Sequence, residues 1–196
     1  MITLCFLLTS CGGNTGAEET DFRSPYQEMN GCTMEAVVSC DQERLEWEAQ
    51  LICEYIPGGE STVEVLAPET IAGVRAVFTD SDWRIEYEDT CLNVGMLSSE
   101  KLSPALCLPQ LMSALRDGWL LETNEENWGE IPCHRMSLDQ SGPQGGKIIS
   151  TIWLRKDDGT PLRWEIAVDG EIILKAEFTE FAFYDTIGAS GEADES

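Results

Sequence analysis

Residues 153–184 read WLRKDDGTPLRWEIAVDGEIILKAEFTEFAFY, which is two hairpins in succession. Trp153 and Leu154 close one strand, Asp157-Asp158-Gly159-Thr160 is a polar turn, and Pro161 follows it. Leu162, Trp164 and Ile166 then alternate with Arg163 and Glu165, the period of two expected of a half-buried strand. Asp169-Gly170 turns the chain again, and Ile172, Leu174, Ala176 and Phe178 make the next apolar set. Parity decides the turn. A two-residue loop at Asp169-Gly170 would set Trp164 opposite Lys175 and Ile166 opposite Ile173, splitting the apolar residues between two faces. A three-residue loop, Val168-Asp169-Gly170, sets Ile166 by Ile172 and Trp164 by Leu174. The pattern predicts the second, a type I turn with Gly170 left-handed in a bulge. The sheet then has one apolar face and one charged face.

Upstream, the same alternation recurs. Cys32 to Cys40 and Arg44 to Ile56 read as two long strands, the second carrying Leu45, Trp47, Ala49, Leu51, Cys53 and Tyr55 on one parity. A four-residue loop at Asp41–Arg44 would set Cys32 opposite Cys53. Pro57-Gly58-Gly59 turns the chain into Ser61–Ala67. Val74, Ala76 and Phe78 face one way and, across an Asp80-Ser81 turn, meet Tyr87, Ile85 and Trp83. That register also pairs Arg75 with Glu86 on the wet face, so apolar pattern and charge agree. Trp119 to Leu138 reads as further strands around a polar loop, Thr123 to Asn127, and QSGPQGG at 140–146 is a loop.

Two stretches have helical signals. Ser24 reads as an N-cap with Pro25 at N1 and Gln27 closing a capping box, and Asn30-Gly31 stops that short helix. Between Met96 and Gly118, Ser99 and Ser103-Pro104 are helix starts, Pro109 restarts the helix and Gly118 ends it. Leu111, Met112 and Leu115 form an apolar stripe expected to pack on the sheet.

The hairpin stretch, W-L-x-K-x-x-G-x-P-L-x-W-E-I from Trp153 to Ile166, continues through Asp169-Gly170, Ile172, Phe178 and Phe181. It resembles the C-terminal sheet of LolA-like lipoproteins. Val65 to Gly73, V-x-x-P-x-x-x-A-G, is similar to another segment of that group, so the resemblance spans about Cys32 to Tyr184. The superfamily covers lipoprotein carriers, mycobacterial glycolipid-binding lipoproteins, and sporulation and germination lipoproteins. The resemblance implies an α+β fold: a strongly curved antiparallel half-barrel with helices, from roughly 99–117 and the N-terminus, covering its concave face. It implies binding of an acyl chain or amphiphile there. No functional residue of the carriers maps onto a position of this chain.

The N-terminus points to the same compartment. Ile2 to Leu8 is an apolar run, and Leu8-Thr9-Ser10-Cys11 has the form of a bacterial lipobox, with a small residue beside the cleaved bond and a thiol to carry the diacylglycerol. No basic segment precedes the run; a start codon a little upstream would supply one. The expected organisation is a signal peptide at 1–10, a lipidated flexible tether at 11–24, the half-barrel domain at 25–187 and a disordered acidic tail at 188–196. The chain would be extracytoplasmic, anchored to the cell membrane by lipidated Cys11. Its 196 residues suffice for one domain with a real core. A net charge of −24, from 36 acidic against 12 basic residues, disfavours nucleic acid and anionic lipid surfaces as partners.

Candidate chemistry is sparse. With Cys5 removed and Cys11 lipidated, Cys32, Cys40, Cys53, Cys91, Cys107 and Cys133 remain, and Cys32 with Cys53 is the candidate disulfide. His134 is the single histidine, with no second ligand at zinc spacing. Its neighbour Cys133 would point to the opposite face of a strand. There is no G-x-S-x-G, P-loop or dinucleotide fingerprint. The chain therefore reads as a non-enzymatic protein without a cofactor. Trp47, Leu51, Phe78, Trp83, Ile85, Trp164 and Ile166 sit on the apolar parities and would line a ligand cavity on the concave face. The expected partner is a lipid or lipoprotein acyl chain. The alternative is an envelope protein, the fold serving as a scaffold that regulates a cell-envelope or spore-cortex enzyme.

Overall fold

The computed structural model describes residues 22–42, 45–79, 82–93, 106–141 and 146–184. The signal peptide, Cys11 and nearly all of the tether, the Asp80-Ser81 turn, the helix starts at Ser99 and Ser103-Pro104, and the acidic tail fall outside the described residues.

Helix α1 (Ser24–Glu28) leads into strands β1 (Cys32–Gln42), β2 (Leu45–Tyr55), β3 (Ser61–Ala67), β4 (Arg75–Phe78), β5 (Trp83–Tyr87) and β6 (Thr90–Asn93). Helix α2 (Cys107–Asp117) follows, then β7 (Trp119–Trp128), β8 (Ile131–Asp139), β9 (Ile148–Arg155), β10 (Pro161–Val168) and β11 (Glu171–Phe183). Among the described residues the strands form one 11-stranded antiparallel sheet, ordered β6-β5-β4-β3-β2-β1-β11-β10-β9-β8-β7. The central pairing of β1 with β11 joins two meanders, one from each half of the chain.

The sheet is open and curved. In the strand order β5 and β8 stand eight spacings apart, about 38 Å on a flat sheet at ~4.8 Å per strand. Residues of both nevertheless line one cavity, together with α2. Only a sheet curled around the helix brings them together. Cys107, Leu108, Leu111, Met112 and Leu115 of α2 are fully buried, in one core with Met34, Ala36, Val38, Leu51, Cys53, Ile152, Leu154, Trp164, Ile166 and Ala176 of the sheet. Burial of each large side chain here contributes about 1.5–3 kcal/mol. The stripe expected at Leu111, Met112 and Leu115 is thus core, and Gly118 ends the helix, its N–H donating to the Ala114 carbonyl at 2.8 Å.

Several expectations are corrected. The hairpin between β10 and β11 turns through two residues, with Val168 opposite Glu171 and positive φ at Asp169 (51°) and Gly170 (90°). The odd residue that parity demands comes from a bulge at Ile173, after which Ile166 faces Leu174 and Trp164 faces Ala176. Ile172, on the turn side of the bulge, is 42% exposed instead of joining the apolar face. Between β1 and β2 the strands run on through Asp41 and Gln42, so Gln42 pairs with Leu45 and Cys32 with Tyr55, not with Cys53. The expected loop at Thr123–Asn127 is strand, the middle of β7, and the turn falls at Gly129-Glu130, with Gly129 at φ 63°. The capping box at Ser24 does not form. Arg23 is the N-cap and has helical dihedrals, and its carbonyl accepts the Tyr26 and Gln27 N–H groups at 2.9 Å each. The register of β4 on β5 is as expected, with Ala76 opposite Ile85, Phe78 opposite Trp83, and Arg75 paired with Glu86 at 3.6 Å.

Candidate functional site

Helix α2 presents two faces. One is the buried stripe. The other, at Leu106, Pro109, Gln110, Ser113, Ala114 and Asp117, repeats at helical spacing and lines a cavity of about 610 Å³. One wall comes from the end of β2 and the turn after it (Tyr55, Ile56, Gly58, Gly59, Ser61) with Phe78, Thr79, Asp82 and Trp83. The far wall is Asp139 and Gln140 at the end of β8 with Ile148 at the start of β9. The cavity therefore occupies the mouth of the curled sheet, with α2 between its flanks.

Hydrogen bonds hold the helix to both flanks. Tyr55 Oη lies 3.3 Å from Ser113 Oγ, and Gln140 Nε2 donates to the Gln110 carbonyl at 3.1 Å. At the α1 side, the buried Arg23 donates from Nε to the Leu115 carbonyl at 2.8 Å and from Nη2 to the Arg116 carbonyl at 2.9 Å. Gln27 Nε2 reaches the Arg116 carbonyl at 3.4 Å. These donors satisfy carbonyls that a helix end leaves open.

The cavity walls are mainly apolar and aromatic, from Tyr55, Phe78, Trp83, Leu106, Pro109 and Ile148, and their charged side chains are Asp82, Asp117 and Asp139. Asp82 Oδ1 accepts the Trp83 N–H at 2.9 Å. Asp139 Oδ1 accepts the Ser141 N–H at 2.8 Å, and hydrogen bonding from Ser141, with a smaller contribution from the charge of Lys147, holds this carboxyl below its ordinary range. Two buried polar atoms of wall residues, Trp83 Nε1 and Gln110 Oε1, have no hydrogen-bond partner among the described residues.

No protein-family model matches the chain, and no curated protein does. Solved structures do. An uncharacterized conserved protein from Thermus thermophilus is 14% identical over 83% of this chain and 84% of its own, with a TM-score of 0.51. A LolA superfamily protein from Nitrosomonas europaea is 8% identical over 84% of this chain and 91% of its own, at 0.48. The lipoprotein LppX of Mycobacterium tuberculosis is 11% identical over 82% and 91%, at 0.46. The open, curved sheet itself has the half-barrel form that the sequence resemblance implied. At these identities the likeness is one of fold.

Within this half-barrel, the residues expected to line a cavity separate. Phe78 and Trp83 do line it. Leu51, Trp164 and Ile166 lie in the filled core with the buried stripe of α2, each 2% exposed or less. Trp47 is half-buried against that core, and Ile85 is half-buried on β5; neither reaches the cavity. What the sequence reading missed is the second face of α2, the turn after β2, and Asp139-Gln140. The spacing of 106, 110, 113 and 117 was the available signal, but that face is polar and resembles any solvated helix face.

Cys32, Cys53 and Cys133 are buried free thiols and Cys91 is an exposed one; Cys40 and Cys107 are buried as well. In the observed register Cys32 and Cys53 are diagonal neighbours on one face, a relation that sets Cα atoms about 7–8 Å apart, beyond the usual reach of a disulfide. Burial pushes the thiols of Cys32 and Cys107 up to about 12, so both are protonated and weakly nucleophilic at neutral pH. His134 is buried and stacks on Phe22, with ring centroids 3.4 Å apart. Desolvation, aided by the charge of Lys156, lowers its pKa, and Glu125 opposes this.

Proposed function

We propose that this chain is a non-enzymatic, extracytoplasmic binding protein, tethered to the cell membrane through a lipidated Cys11, that holds the apolar part of an amphiphile in the mouth of its half-barrel. The observation that carries the reading is the cavity of about 610 Å³ beside α2, a size within the ~300–1,000 Å³ of small-molecule sites. It lies above a filled core, so it is room left over after folding has closed the interior. Phe78, Trp83, Tyr55, Leu106, Pro109 and Ile148 form its apolar wall. The lipobox and the sequence resemblance to LolA-like lipoproteins support the compartment. Among the described residues no helix is long and apolar enough to cross a membrane.

Native mass spectrometry of the full chain after mild purification tests the reading. A co-purified lipid is expected, lost in Ser113→Trp, which fills the cavity from α2. A chain that retains no lipid and binds no amphiphile saturably overturns it. In the same samples, intact mass should show diacylglycerol on Cys11, and Cys11→Ala should release the protein from membranes.

A second reading has its own observation. Among the described residues β7 is one of the two edges of the sheet, exposed along its ten residues, with Trp119 76% exposed. An open edge accepts a partner strand, as a scaffold for an envelope enzyme would. Capture of such an enzyme by the intact chain, lost on Glu122→Pro in β7, favours that reading.

A further inference from the structure

Resting on the reading of the mouth cavity as a ligand site, we infer that its ligand is a cationic amphiphile, an apolar chain carrying an ammonium head. Among the described lining residues every charged side chain is a carboxylate: Asp82, Asp117 and Asp139. Among the described residues no Lys or Arg lines the cavity, and Lys147, next to the lining Ile148, reaches Asp139 only through its charge. Arg23 donates to the Leu115 and Arg116 carbonyls, and neither it nor Arg116 faces the site. An anionic head would therefore meet like charge, with no cation among the described lining residues to pair it, while losing hydration. A positive head finds the opposite: carboxylates at the rim, one of them held firmly ionised at Asp139, and aromatic rings of Tyr55, Phe78 and Trp83 in the wall. Aromatic faces attract diffuse cations, quaternary ammonium above all.

The geometry also chooses between kinds of cation. Among the described residues no three carboxylate, thiol or imidazole groups converge where a metal ion could be held. The three aspartates come from the start of β5, the end of α2 and the end of β8, so they surround the cavity rather than a point. That arrangement suits a large, soft head group whose chain runs along the Leu106–Ala114 face of α2.

The test uses the full chain carrying Cys11→Ala, so that no anchor competes. Dodecyltrimethylammonium, dodecyl maltoside and dodecanoate are titrated below their micellar concentrations, read by tryptophan emission and calorimetry, with circular dichroism confirming that the fold persists. The trimethylammonium probe is expected to bind saturably and roughly tenfold more tightly than either other probe, the margin shrinking as salt is raised. Asp117→Asn, at an exposed position, should weaken that probe several-fold more than it weakens the maltoside. Ser113→Trp, which leaves net charge untouched, should abolish binding of both.

Equal or tighter binding of dodecanoate or the maltoside overturns the inference and leaves the proposed function standing. A cationic preference that survives Ser113→Trp also overturns the inference, because it would then belong to the acidic surface at large. If no probe saturates, the proposed function fails first and this inference with it.

Discussion

At the scale of single residues, backbone geometry and one titrating side chain give separable predictions. Gly170 sits at φ 90°, and a side chain built there meets nothing within 4 Å. Any cost of substitution is therefore conformational. Gly170→Val should lose about 1–3 kcal/mol, lowering the melting temperature by several degrees, because a β-branched residue resists positive φ. Gly170→Asn should lose much less, since Asn tolerates the left-handed region; equal melts for the two variants would count against the two-residue turn. His134, the single histidine, has its pKa lowered by burial. Below the ordinary value of about 6.5 the unfolded chain then takes up a proton that the folded chain refuses, so stability falls as pH drops. The shifted carboxyls Glu122, Glu125, Asp139 and Asp157 are all lowered, and their loss begins only near the carboxylate range at about pH 4. Melting temperature should therefore decline between about pH 6.5 and 5. His134→Phe, which keeps a ring against Phe22, should flatten that segment of the profile.

At the scale of elements, the short α1 matters less for the area it covers than for where its first residue reaches. Arg23 joins the N-terminal segment to the last turn of α2 through contacts with two carbonyls, the one at Leu115 buried. Arg23→Ala leaves those carbonyls short of donors and should cost about 1–3 kcal/mol in urea denaturation. Hydrogen exchange should speed up at the C-terminal amides of α2 before it does in the sheet. Arg23→Lys should recover only part, because one ammonium cannot reproduce the fork. The elements also show what a pattern of alternation can and cannot say. Arg75 opposite Glu86 was legible, because a wrong register would have placed like groups together. The turn at Asp169-Gly170 was not: an odd loop and a bulge at Ile173 supply the same single residue, and the apolar pattern is blind to which does so. The middle of β7 was read as loop because an edge strand exposed on both faces has no alternation to keep. There ion pairs accompany the backbone ladder, with Arg135 of β8 on Glu122 at 2.8 Å and Lys156, after β9, on Glu125 at 2.6 Å.

At the scale of the whole molecule, parity tells which face a residue occupies but not what covers that face. Leu51, Trp164 and Phe78 all lie on the apolar side; α2 packs over the first two and leaves the third at the mouth. Depth depends on where the helix settles, and that is fixed by contacts from both flanks of the sheet, each remote in sequence. The consequence is a pair of variants with opposite signatures. Leu51→Glu puts a carboxylate where 2% of the side chain is exposed, among Met34, Cys53 and the buried stripe of α2. With no partner for the charge, the domain should unfold, and any loss of ligand binding should follow the loss of structure. Ser113→Trp places a large ring on an exposed position of α2 that faces the cavity. Its hydroxyl gives up one contact of 3.3 Å with Tyr55, worth about 1 kcal/mol, against new apolar contact inside the cavity. Stability should therefore stay within about 1 kcal/mol of the parent, with amphiphile binding gone. If Leu51→Glu folds and only binding is lost, the ligand reaches the interior under α2 and the cavity at the mouth is merely its entrance. If Ser113→Trp folds and still binds, the ligand lies elsewhere on the sheet. Chemical denaturation and probe titration on both proteins, measured in parallel, separate these cases: Leu51→Glu should lose fold and binding together, and Ser113→Trp binding alone.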